Sequence, residues 1–268
     1  MYISFMSLKE KVLWSFFAII GILAFSNPFT EDIKSAQPLL IIPFLAVILH
    51  ASWTMSLTRG LLLLIISGVV GFLAEAVGLN YISVFGGQYH YSDMGTVVFE
   101  VPLWVIAYWA IFIYTSYAIT NSFLMWLGKE KPSLKTAKFS PVLILAIIDS
   151  LIVTTIDLFM DPLQVAMGSW SWEQVGPFFG IPIGNFVGWF LVAFLSTAIF
   201  RAFEYFNPKK YLLKRGPVYL MPVLAYGLLA VNFTFISIDF NMFTLSIIAG
   251  TPMYLLVLAN VYLFIKHK

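Results

Sequence analysis

Two carboxyls in a mostly apolar run raise the first chemical question. Asp157 and Asp161 stand four residues apart between Ile152 and Pro162. On a helix they share one face, one turn apart. Two carboxyls at that range in a low-dielectric setting cannot both ionise cheaply, so one keeps a proton beside a charged neighbour. General acid–base chemistry requires such a pairing. Glu75, Asn185 and Asn232 occupy three further apolar runs, and Asp149 lies nearer the middle of the run that holds the pair. Each also has a plainer reading. Asp161-Pro162 can be a helix-ending turn, and asparagines often join helices by hydrogen bonds. His50 reads as a packing histidine, and Asp149 as an acid paired with a neighbouring helix that the sequence does not identify.

The elements that must position these groups follow from composition. The chain has 268 residues, of which 60% are hydrophobic, 18% aromatic and only 10% charged. Its mean hydropathy is +0.91. A soluble domain carries about 25% charged residues. With 15 basic and 13 acidic side chains, a soluble globule of this size could not cover its surface. The composition therefore indicates an all-α, polytopic membrane bundle and excludes a cytosolic enzyme, a nucleic-acid binder or a disordered chain. A net charge of +2 does not argue for a polyanionic partner. With no cysteine, disulfides and thiolate chemistry are excluded.

Eight stretches of about 20 mostly apolar residues are expected to span the bilayer: Val12–Phe29, Pro38–Leu57, Leu61–Tyr81, Val101–Trp126, Val142–Met160, Ile181–Phe203, Val218–Ile238 and Met242–Ile265. Short connections make residues 1–268 one integral-membrane domain. The first stretch, lacking a small-residue cleavage site before Asn27-Pro28, reads as a retained helix. With both termini in the cytoplasm, 14 of the 15 basic residues fall inside and only Lys34 outside. The ten acids other than Glu10, Glu130 and Glu204 fall in outer loops, at outer helix ends or within the bilayer. At 1.5 Å rise per residue, Glu75 lies about 6 Å, Asp157 about 9 Å, Asn185 about 10 Å and Asn232 about 6 Å outside their helix centres. Four helices thus bring polar groups to one layer of the outer leaflet. Placing them there costs about 2.5–3.5 kcal/mol for a central Asp, and a shared layer points to a polar pocket. Chemistry is expected toward the outer face, where the longest loops carry Tyr89, His90, Tyr91, Trp170 and Trp172.

Other features exclude rivals or favour packing. No lysine lies within a span, so a retinal Schiff base is excluded. No Walker loop, HExxH or GxSxG appears. The acids form no chain through the bundle, which disfavours an ion transporter. Gly180, Gly184 and Gly188 recur every fourth residue, a close-packing pattern. Trp104, Trp109 and Trp189 read mainly as lipid-facing or belt residues. Gly78, Pro182 and Pro222 are candidate helix breaks.

The outer segments resemble a known family. Glu75-Ala-Val-Gly78 is followed by Gly86-Gly87-Gln88-Tyr89-His90-Tyr91 and Val101-Pro102. Asp157-Leu-Phe-Met-Asp161-Pro162 is followed by Trp170-Ser-Trp172 and Gly180-Ile-Pro182-Ile-Gly-Asn185-Phe186-Val-Gly188-Trp189. Over about residues 60–265 the chain resembles the integral-membrane carotenoid biosynthesis family that includes bisanhydrobacterioruberin hydratase and the gamma-carotene hydratases. The resemblance implies cofactor-free addition of water to the terminal double bond of an acyclic carotenoid end group, in a multi-pass protein of the cell membrane. The partners are then the carotenoid, water and membrane lipid, with no nucleic acid. Protonation to a tertiary carbocation followed by water capture needs an acid, a group holding water and cation-stabilising surfaces. Asp157 is expected as the acid, with Asp161 or Glu75 holding water. Tyr89, Tyr91 and Asn185 would hydrogen-bond water or the carboxyls, and Trp172 and Trp189 would line the cation pocket. The alternatives are another carotenoid- or isoprenoid-modifying reaction, or a transporter or lipid-binding protein.

Overall fold

A computed structural model describes residues 7–25, 39, 41–81, 86–92, 95–135, 138–209 and 216–267. Glu31, Asp32, Lys34, Asp93, Lys210, Lys214, Arg215, Lys268 and the Asn27-Pro28 step lie outside the described residues. Eight helices follow in order: α1 (Leu8–Phe25), α2 (Ile41–Thr54), α3 (Leu57–Asn80), α4 (Leu103–Trp126), α5 (Ser140–Ala166), α6 (Ile183–Phe206), α7 (Met221–Asp239) and α8 (Phe243–Lys266). They stand where the eight apolar stretches were expected. Six of them, α3 to α8, are long and apolar enough to cross a membrane. α1 begins with Lys9, Glu10 and Lys11. The 14 residues of α2 rise about 21 Å, less than a hydrocarbon core of about 30 Å.

Two helix ends differ from expectation in ways that matter for the site. α5 does not stop at Asp161-Pro162; it runs through the proline to Ala166 and ends where Gly168 takes φ +73°, a left-handed cap that glycine adopts without penalty. Likewise α3 continues past Gly78 to Asn80. α6 starts directly after Pro182 and runs to Phe206.

α4 is the most enclosed of the long helices. α3 packs against α4 and α6, and α5 lies along α6 and against α4. These four enclose the polar residues of the outer half. α1 and α2 pack together, α1 also meets α7, and α7 and α8 complete the far side of α4. Outside the helices, strand β1 (Tyr89–Tyr91) pairs antiparallel with β4 (Trp170–Trp172), joining the segments that follow α3 and α5. A second pair, β2 (Val97–Val98) with β3 (Val101–Pro102), leads into α4.

Arg201 and Glu204, expected toward the cytoplasmic side, are buried on α6. Asp149 on α5 finds its partner there: Arg201 Nε donates to Oδ2 at 2.5 Å and Nη2 to Oδ1 at 2.8 Å. Arg201 Nη1 reaches Asn121 Oδ1 at 3.2 Å. Lys131 Nζ reaches Glu204 Oε1 at 2.8 Å, and Arg59 Nη1 stands 3.6 Å from the same oxygen. This cluster ties α3, α4, α5 and α6 through ion pairs, and the bidentate Arg201–Asp149 pair holds both partners rigidly. Removing one partner strands the other charge. Asp149→Ala should lower the stability of the detergent-solubilised protein by about 3–5 kcal/mol, read by thermal unfolding, whereas Asp149→Leu combined with Arg201→Met should recover much of the loss. Equal loss in single and double variants would refute a paired structural role.

Candidate functional site

Three elements converge on Glu75. On α3 it stands four residues after Gly71 and three before Gly78, so all three lie on one face. The glycines make room for its partners. A Cβ on Gly71 would come 2.4 Å from Trp109 Cγ, and one on Gly78 would come 2.8 Å from the Tyr89 hydroxyl. Trp109 Nε1 donates to Glu75 Oε1 at 3.0 Å. Tyr89 and Tyr91 donate to Oε2 at 2.7 and 3.0 Å. Burial raises both phenols well above the ordinary tyrosine range, and the neighbouring Glu75 carboxylate raises them further. At physiological pH they therefore remain donors, and Glu75 is fixed as an acceptor.

The paired aspartates face this group from α5. Asp157, Asp161 and Asn185 are all buried. Asn185 Nδ2 donates to Asp157 Oδ2 at 3.0 Å and to Asp161 Oδ2 at 2.6 Å. It does so from the first turn of α6, directly after Pro182. Sharing one amide nitrogen brings the two carboxyls close together. Two carboxyls so close in a low-dielectric setting cannot both ionise cheaply. No N–H or O–H of another described residue reaches Asp157 Oδ1. Among the described residues, none of the ion pairs involves Glu75, Asp157 or Asp161. Asp149 and Glu204 each meet a cation; among the described residues these three carboxyls meet none.

The pair β1–β4 closes the outer side. Its register sets Tyr89 opposite Trp172, His90 opposite Ser171 and Tyr91 opposite Trp170. Strand alternation sends the flanking aromatics inward and the central polar residues out: His90 and Ser171 are exposed. Gly86, at φ +95°, approaches the start of α6 so closely that a Cβ would lie 2.6 Å from Pro182 Cβ. The loop bearing the tyrosines is thereby seated on the helix bearing Asn185.

Between these groups is a void of about 50 Å³ lined by Glu75, Asp161, Asn185 and the aromatics Tyr89, Tyr91, Trp109, Trp172 and Trp189. It exceeds the ~10–15 Å³ that one water needs. Trp104 Nε1 and Trp172 Nε1 border it as buried donors with no partner among the described residues. A second void of about 260 Å³, overwhelmingly apolar, adjoins it. Trp104, Tyr108, Met160 and Trp170 line both.

All eight expected site residues thus belong to one assembly, with Asp157 standing behind Asp161. Asn232, expected in the same polar layer, lines the apolar void instead. Trp104 and Trp109 are buried rather than lipid-facing, and Trp189 sits with its ring centroid 4.1 Å from that of Trp109. His50 is a packing residue, with Nδ1 2.5 Å from the Tyr114 hydroxyl and Nε2 3.0 Å from the Val218 carbonyl. Trp104, Trp109 and Trp170 were not assigned to the site from sequence. The alternation Tyr-His-Tyr and Trp-Ser-Trp was the signal for Trp170; Trp109 had none apart from its indole N–H in an apolar helix. Among the described residues no three His, Asp or Glu side chains converge as metal ligands.

The family model described as carotenoid biosynthesis protein matches residues 36–258, and the chain belongs to that family. Neither a curated protein nor a solved structure matches it.

The close approach of the two α3 glycines is testable. Gly71→Ala should force Trp109 away from Glu75 and destabilise the protein by about 1–3 kcal/mol. Gly21→Ala is the control, since its Cβ would meet only Leu228 at an ordinary 3.7 Å. Equal thermal stability of the two variants in detergent would contradict the tight Gly71–Trp109 contact.

Proposed function

We propose that this carotenoid biosynthesis protein adds water, without a cofactor, to the terminal double bond of an acyclic carotenoid end group. The observation that carries this reading is the void itself. A proton-sharing carboxyl pair, a fixed acceptor and several aromatic faces border a space for water, next to an apolar space for hydrocarbon. A soluble acid site would need no such neighbour, and a lipid-binding cleft would need no carboxyl pair.

The end group is a trisubstituted alkene. A proton moves from the carboxyl pair to the alkene carbon bearing one hydrogen, the π bond breaks, and a tertiary cation forms at the carbon bearing two methyl groups. The oxygen of water bonds to that cation. The proton that water then loses returns to the carboxyl pair, so alkene plus water gives the tertiary alcohol and the acid is regenerated. Asp161 borders the void, so it is the member assigned to touch the alkene, with Asp157 holding the proton behind it. Asn185 keeps the two carboxyls in register through its two donated hydrogen bonds. Glu75, held by three donors, is preorganised to stabilise positive charge and to orient water. Trp172 and Trp189 present ring faces to the cation. Tyr89 and Tyr91 hold Glu75 and close the chamber.

The charge pattern supports a cell-membrane location with both termini in the cytoplasm and the chamber toward the outer face. Of the described basic residues, all lie at the ends or loops assigned to the inner side, together with the buried Arg201. Water then enters from outside while the polyene tail stays in hydrocarbon.

The reaction is tested in membranes of a lycopene-producing host by chromatography and mass of the pigments. The parent should yield product heavier by one water, which separates hydration from desaturation or isomerisation. Asp161→Asn and Asp157→Asn should each lower that product about 100- to 10,000-fold, the range for loss of a positioned acid, and Glu75→Gln should lower it as well. Undiminished product in both aspartate variants would overturn the assignment.

A further inference from the structure

The geometry points to a polyene channel: the apolar cleft between α1, α2, α4, α5 and α7 holds the conjugated tail of the substrate and delivers its tip to the chamber past Trp104, Tyr108, Met160 and Trp170. This rests on the proposed reaction for the identity of the occupant, but it assigns a separate binding site. The chamber of about 50 Å³ accepts little more than an end group, whereas the adjoining cleft offers about 260 Å³. The four residues common to both linings make them neighbours across one aromatic wall. The cleft beside that wall therefore offers a place for the remaining length of a molecule reacting in the chamber.

The lining suits a hydrocarbon. Phe17 and Ile20 of α1, Val47 of α2, Phe112 of α4 and Phe233 of α7 contribute apolar surface. The polar residues among them are largely satisfied within the protein. His50 is bonded to Tyr114 and to the Val218 carbonyl, and the Tyr226 hydroxyl is bonded to Thr155. What they offer a ligand is mainly carbon. Gln164 is an exception. It stands one turn beyond Met160 on α5, and its buried Oε1 has no partner among the described residues. The polar corner of the cleft thus lies toward its chamber end, where the reacting tip and water belong.

α1 gives the channel its outer side. It lies before the family-matched residues 36–258 and packs chiefly on α2 and α7. One helix, held at two edges, separates the cleft from lipid on this side. A polyene dissolved in the bilayer can arrive sideways there, without crossing the headgroups.

Pigment binding tests this separately from turnover. The full-length protein is purified in detergent with lycopene, and retained pigment is measured by absorbance after gel filtration. Ala225 on α7 and Ala46 on α2 line the cleft from two sides. Ala225→Trp should reduce retained lycopene at least tenfold, and Ala46→Leu severalfold. Leu195→Trp, on the exposed face of α6, controls for added bulk and should retain lycopene as the parent does. Asp161→Asn should retain lycopene while failing to hydrate it. Should Ala225→Trp not fold, Ala46→Leu decides alone. Full retention in a folded cleft-filling variant overturns the channel and leaves the reaction untouched. Retention without hydration by the parent overturns the reaction and leaves the channel standing.

Discussion

A carboxyl buried in an apolar bundle has to be hydrogen-bonded or protonated, and this constraint organises the outer half of the molecule. Glu75 draws donors from α4 and from both ends of β1. Asp157 and Asp161 share one amide from α6. Satisfying three acids thus fixes how α3, α4, α5, α6 and the β1–β4 ribbon meet. Gly71, Gly78 and Gly86 follow from the same need, because each lets a donor-bearing segment approach where a side chain would block it.

The bundle solves the problem of buried acid twice, in two different ways. Toward the inner end, Asp149 and Glu204 are met by Arg201 and Lys131, with cation and anion in direct contact. Each anion meets a cation there, and the work of the group is to hold helices together. Toward the outer end, carboxyls meet amide, phenol and indole donors, and no cation joins them among the described residues. In the proposed reaction such donors would leave a proton on the pair free to move, whereas an arginine would have held both oxygens as an anion. On the proposed function, that contrast more than the presence of acids separates the candidate site from the scaffold.

Much of this was legible in the sequence. The hydropathy pattern located the eight helices, because each must bury or face hydrocarbon along its whole length. The spacing of Asp157 and Asp161 placed both on one face, and the helix carries that spacing through Pro162. What could not be read depended on which helix faces which. Arg201 was counted only as a charge on the cytoplasmic side, yet α6 continues to Phe206 and turns it toward Asp149. Trp109 passed for a lipid-facing aromatic because its partner is 34 residues away in sequence. Asn232 shares the depth of the site but not its direction, since α7 turns it to the apolar cleft. Depth along a helix is a one-dimensional quantity; rotation about the helix axis is set by packing. The β1–β4 pairing was written in two short alternating segments, but long-range register emerges only when the loops are brought together.

The account centres on water and a proton adding across one double bond within the chamber, and isotopic labelling tests that most directly. Membranes containing the protein are supplied with lycopene in water enriched in heavy oxygen, and in a parallel sample in heavy water. The account predicts product carrying one heavy oxygen on the carbon that bears the two methyl groups, and one deuterium on the adjacent carbon. Product whose new oxygen comes from dioxygen, or product with rearranged double bonds and no added oxygen, would contradict it.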